Sequence, residues 1–87
     1  KSEPTNAEAF NALGTVYVYL NRRAEAYSNF RQAVRLNPKI AQAYYNLANI
    51  YQLDGQPQKA VEHFRKAVEL KPDYVLAWLG LGNSSLD

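Results

Sequence analysis

Cysteine and methionine are both missing from the 87 residues, and histidine and tryptophan occur once each. Without cysteine there is no disulfide, no thiolate metal ligand and no cysteine nucleophile. A lone His63 has no second imidazole or thiol with which to complete a metal site or a nucleophile–base pair. Beside Glu62 and Arg65 it reads as a solvated surface residue on the outer part of a helix. Long apolar runs are also lacking. None approaches the ~18 to 20 residues of a membrane-spanning helix, and no signal-like segment opens the chain, so a soluble protein is expected, with the cytoplasm the favoured compartment. The four glycines, Gly14, Gly55, Gly80 and Gly82, form no phosphate-binding loop. Acids alternate with bases at helical spacing, Glu62 with Lys66 and Arg65 with Glu69, as surface pairs do. Together these absences leave no catalytic residue, no metal site and no cofactor site to expect. The segment is therefore not read as an enzyme.

What the chain does have is periodicity. Pro4, Pro38 and Pro72 stand 34 residues apart, a period characteristic of repeat solenoids. Overlaying residues 7–40 on 41–74 brings Ala7 onto Ala41, Leu13 onto Leu47, Tyr17 onto Tyr51, Ala26 onto Ala60, Phe30 onto Phe64 and Ala33 onto Ala67. A third, partial copy runs over 75–87. The opening Lys1-Ser2-Glu3-Pro4, with no initiating methionine, leads to the expectation of an excerpt from a longer protein or of a processed chain. At 47% apolar content a compact domain of this length would have a marginal core, whereas stacked repeats bury one another's apolar faces.

Local signals predict five helices, at about 7–20, 24–36, 41–53, 57–70 and 74–86. Thr5 followed by Glu8 has the form of a capping box. Asn21 and Gly55 follow the first helix of each repeat and suit the left-handed closure of a helix end. Pro57 fits a first helical turn. Pro38 and Pro72 force Asn37 and Lys71 out of helical geometry and so end the second helices. Gly14, Ala48 and Gly82 are small where helices must approach, and Phe10, Tyr17, Phe30, Tyr44, Tyr51, Phe64 and Trp78 are expected to fill the core between them.

These residues resemble the tetratricopeptide repeat (TPR) family. The pattern of an aromatic, Leu-Gly and Tyr on the first helix, then Ala, an aromatic, Ala and Pro on the second, is met by Phe10, Leu13-Gly14, Tyr17, Ala26, Phe30, Ala33 and Pro38. The second repeat meets it with Tyr44, Leu47-Ala48, Tyr51, Gly55, Ala60, Phe64, Ala67 and Pro72, and the third begins with Trp78 and Leu81-Gly82. Asn21, Ala48 and Ser85 depart from it. The resemblance implies an all-α, right-handed superhelical stack of antiparallel helix pairs, whose first helices line a concave face. It implies a protein-interaction scaffold that binds a peptide or helix of a partner there.

Once the packing positions are removed, the inward positions of the first helices are Glu8, Asn11, Thr15, Val18 and Tyr19, then Gln42, Tyr45, Asn46, Asn49, Gln52 and Leu53, then Leu76, Leu79, Asn83 and Leu86. Amides pair with a peptide backbone as donors and acceptors, and tyrosines offer flat area with a polar tip. The expected peptide-binding residues are Asn11, Thr15, Tyr19, Gln42, Tyr45, Asn46, Asn49, Gln52, Leu79 and Asn83. The competing reading of Tyr19 and Tyr45 is that they cover neighbouring helices. TPR co-chaperones grip a terminal carboxylate with Lys, Asn and Arg at positions that here are Asn11, Thr15, Asn46, Leu76 and Gly80. Only Asn46 agrees and every cation is missing. The asparagine ladder of the O-linked N-acetylglucosamine transferase is matched at Asn46 and Asn49 but interrupted at Ala12 and Gly80.

Arg22, Arg23, Arg31 and Arg35 cluster in the first repeat with Glu25 as the nearby acid, a surface that an acidic partner or RNA could use. The net charge of +2 is small and the arginines are read as facing solvent, not interleaved with aromatics, so nucleic acid is not the expected partner. The alternatives to peptide binding are a structural or self-associating spacer and the substrate-recruiting region of a larger enzyme. The last helix, with Trp78, Leu79 and Leu81 partly open, is expected to support a weak homodimer or helix exchange, moderated by Ser84 and Ser85.

Overall fold

A computed structural model describes residues 6–85, with side chains described as far as residue 82. Five helices follow one another: α1 Ala7–Tyr19, α2 Arg23–Leu36, α3 Ala41–Leu53, α4 Pro57–Leu70 and α5 Val75–Ser85. They form an elongated all-α stack, 45 × 27 × 17 Å. Thr5 and Leu86 lie outside the described residues. The start of α1 is capped by Asn6, whose Oδ1 accepts from the Glu8 amide at 2.9 Å.

The chain punctuation acts as its chemistry requires. Asn21 and Gly55 take φ of 64° and 74° at the two tight turns, which lets the chain reverse within three residues while the Arg22 and Gln56 amides bond back to the Tyr17 and Tyr51 carbonyls. Pro57 occupies the first turn of α4. Asn37 and Lys71, each before a proline, are extended, with φ of −142° and −140°.

Packing repeats with the sequence. Ala26, Phe30, Leu47 and Ile50 form one buried cluster, and Ala48, Ala60, Phe64, Ala67, Val68 and Ala77 another, so α3 contributes to both. Phe30 and Phe64 are 1% and 0% exposed, each a ring wedged where helices meet at alanines or glycine. At Gly14 a Cβ would stand 2.6 Å from Phe30 Cδ1 and 2.9 Å from Cζ, which explains why this helix interior carries glycine despite its cost of ~1 kcal/mol against alanine.

Three expectations need correction. Gly82, the repeat equivalent of Gly14, has nothing within 4 Å of a would-be Cβ, whereas Gly80 meets the Phe64 ring. Among the described residues no helix packs on Gly82, and closeness is demanded instead where α5 rests on α4. Trp78 is 52% exposed, not a core ring. Its Nε1 donates to the Pro72 carbonyl at 2.7 Å and pins α5 to the preceding turn. His63 is half-buried, not freely solvated: its ring lies 4.9 Å from that of Tyr51 and 6.1 Å from that of Tyr44, with Nδ1 2.8 Å from the Lys59 carbonyl.

The helix contacts set the curvature. α1 packs on α2 and α3 on α4 along their lengths, and α1 touches α3 as α3 touches α5, whereas α2 and α4 make no contact. First helices therefore converge on an inner face and second helices splay on an outer one. The splay leaves an outer cleft along α2, floored by α3.

Candidate functional site

On the inner face the residues named from the sequence divide. Tyr19 is 83% and Leu79 59% exposed, and Gln42 and Gln52 are exposed as well. Thr15, Asn46 and Asn49 are half-buried. Asn11 is buried, contrary to its reading as an open position. Its Oδ1 accepts from Asn46 Nδ2 at 3.0 Å, and its carbonyl accepts from the Thr15 hydroxyl at 3.1 Å. The amide pair joins α1 to α3, so one side of this asparagine set is committed to holding the repeats in register. Tyr45 is half-buried too, with its ring 5.8 Å from Phe64 and 5.2 Å from Tyr74. The competing reading, in which it covers neighbouring helices, describes this geometry. Burial raises the Tyr74 phenol to about 12, helped by the nearby Tyr45. The Asn83 side chain lies outside the described residues.

The outer cleft was not named from the sequence. A cavity of about 620 Å³ opens between α2 and α3, lined by Arg23, Ala24, Tyr27, Ile50, Tyr51, Asp54 and Gln56. A second, of about 250 Å³, continues along α2 past Tyr27, Arg31 and Arg35. Arg23 crosses the mouth to Asp54, Nη1 to Oδ1 2.6 Å. Tyr27 and Tyr51 meet edge to face at 5.8 Å with hydroxyls 3.2 Å apart. Arg31 Nη1 donates to the Tyr27 hydroxyl at 3.2 Å while its guanidinium lies 5.6 Å over that ring. Lys59 stands 5.8 Å from the Tyr51 ring and Lys66 6.0 Å from that of Tyr44.

Electrostatics orders the tyrosine pair. The hydrogen bond with Tyr51, and then Arg31, hold the Tyr27 phenol below its usual value. Burial, and then the same hydrogen bond, push Tyr51 up to about 12. Either hydroxyl can donate in this bond. The arginines thus do interleave with an aromatic, unlike the sequence reading. The signal was the run Arg23, Tyr27, Arg31 and Arg35 at four-residue steps along one helix face.

Among the described residues no three His, Asp or Glu side chains come together as metal ligands, and no helix is long and apolar enough to cross a membrane.

Comparison with known proteins accords with this architecture. The family model described as Tetratricopeptide repeat matches residues 41–74, and one described as TPR repeat matches residues 14–55. No curated protein gives a significant match. A crystal structure of MamA protein superposes with a TM-score of 0.88 at 30% identity, over 94% of this chain and 45% of that one. A second crystal structure of MamA does so with a TM-score of 0.91 at 30% identity, over 97% of this chain and 49% of that one. The chain spans less than half the length of these relatives.

Proposed function

The chain belongs to the tetratricopeptide repeat family, and on that premise we propose that it is a binding module, not a catalyst, whose inner face takes a peptide or helix of a partner protein. Repeats of this family generally mediate protein–protein interaction. The observation that carries the finer reading is the character of the inner row. Gln42, Asn46, Asn49 and Gln52 place amides along α3 between the exposed Tyr19 of α1 and the exposed Leu76 and Leu79 of α5. Such a row offers hydrogen bonds to a peptide backbone and apolar area to its side chains, and its α3 and α5 members carry no charge that would demand an acidic or basic ligand. A neutral, amphipathic segment suits it better than a terminal carboxylate.

Selection of a displayed peptide library on the chain tests this. Selected peptides should lose affinity with Asn49→Ala and Tyr19→Ala while the melting temperature stays within a degree or two. Peptides indifferent to both substitutions would refute the inner-face assignment.

A second reading is favoured by one observation. Val75, Leu76, Trp78 and Leu79 are 66%, 54%, 52% and 59% exposed on one short helix, apolar surface that a second copy of the chain can cover.

A further inference from the structure

We infer that the outer cleft along α2 and α3 is a second docking site, which takes an extended acidic segment of a partner protein carrying one large apolar side chain among its carboxylates.

The charge is arranged for this. Arg22 and Arg23 are engaged by Glu25 and Asp54, so the acids at this end are matched, while Arg31 and Arg35 are exposed with no carboxylate partner among the described residues. Lys59 adds positive charge from the α4 side, opposed there by Glu62. Arg31 spends one N–H on the Tyr27 hydroxyl and keeps donors to spare for a carboxylate.

The shape is arranged for it as well. The two cavities share Tyr27 and run from Arg23 to Arg35, roughly 18 Å along a helix, the reach of about five or six extended residues. Ala24, Tyr27, Ile50 and Tyr51 line the larger cavity and provide an apolar seat for one ring or aliphatic chain, with the carboxylates falling over Arg31 and Arg35 beyond it.

The fold does not require this chemistry. One repeat further on, Tyr27, Ser28 and Arg35 become Val61, Glu62 and Glu69. Phe30, Ala26 and Ala33 are repeated unchanged as Phe64, Ala60 and Ala67. The packing residues recur, and of the cleft residues Arg31 recurs as Arg65 while Tyr27 and Arg35 do not, so the combination is confined to one junction of the array.

The test is fluorescence anisotropy of the 87-residue chain with a fluorescein-labelled hexapeptide of five alternating Glu and Asp residues around a single Phe. Saturable binding that weakens with salt is expected, together with no binding of the Gln and Asn analogue of the same peptide. R31E/R35E should weaken binding by about tenfold or more, and the milder R31Q/R35Q by a smaller factor, both with an unchanged circular dichroism melt. K39E, a charge reversal outside the cleft, should leave affinity as it was, and so should Asn49→Ala, which separates this site from the inner face. Failure of the acidic peptide to bind, or an equal loss from K39E, overturns the inference. Tighter binding of a hexathymidylate, lost in R31E/R35E, replaces it with a nucleic-acid site.

Discussion

Replacing Gly14 by alanine sets two calculable effects against each other. In a helix interior the change favours folding by about 1 kcal/mol, since glycine is the more flexible residue in the unfolded chain. Against this, the new methyl would enter the space of three Phe30 ring carbons, among them Cδ1 at 2.6 Å and Cζ at 2.9 Å. Phe30 is 1% exposed and has no free side to move toward. Overpacking of this kind costs about 1–3 kcal/mol, and with three close carbons the upper end applies, so a net loss of about 2 kcal/mol is expected. Gly82→Ala, with nothing within 4 Å, should gain up to about 1 kcal/mol. The repeat offers an internal control, because Ala48 occupies the equivalent of Gly14 beside Phe64. There the neighbouring repeat presents Gly80 to the same ring, at the position where Asn46 stands one repeat earlier. Phe64 has given up room on one side for a methyl on the other, an exchange not open to Phe30. Urea unfolding followed by circular dichroism measures both variants. They should differ by about 3 kcal/mol, a large part of the ~4–13 kcal/mol available to a chain of this size, with equal slopes. Gly14→Ala as stable as the parent chain would refute the packing argument.

Phe64→Ala should cost about 3–5 kcal/mol as a cavity in the second core cluster, and a melt within a few degrees of the parent would contradict its placement. Tyr45→Ala, with its ring on Phe64 and Tyr74, should lower the melt measurably, whereas Asn49→Ala should not; the ranking is checked in one calorimetric series. Tyr74, raised to about 12 in the folded chain, stays protonated where the unfolded chain has ionised, so its contribution is complete below pH ~10 and is lost as pH rises to ~12. Alkaline melts of Tyr74→Phe should show a shallower decline over that interval. Sedimentation over a wide concentration range should show weak self-association through α5, reduced by Leu79→Ser; a strict monomer at the highest concentration would rule it out.

The fold was legible because its determinants are local and occur twice. Proline spacing, the two left-handed turn residues and the alanine–phenylalanine alternation each predict the same helix pair, and the observed boundaries follow them closely. Gly80 and Gly82 show where this stops. Repeat equivalence alone nominated Gly82, but close approach depends on which helix is actually opposite, and that is a tertiary fact. Asn11 and Tyr45 failed as open positions for a similar reason: an inward register position does not reveal that Asn46 will reach across to bond one, or that Phe64 and Tyr74 will shelter the other. The outer cleft was only half visible, since the arginine run lies in one helix while Tyr51 and Asp54 come from another.

The unequal contacts between helices make the stack a lever. Each repeat is a stiff pair, α1 with α2 and α3 with α4, and the pairs meet through the lighter seam of α2 on α3, with a slender touch of α1 on α3. The Asn11–Asn46 bond sits on that inner touch and the Arg23–Asp54 pair on the outer margin, on opposite sides of the seam. A change of angle at the seam that widened the outer side would narrow the inner one, and the reverse. Two surfaces that share no residue would then share one degree of freedom, and occupancy of either would be felt as a change in width at the other.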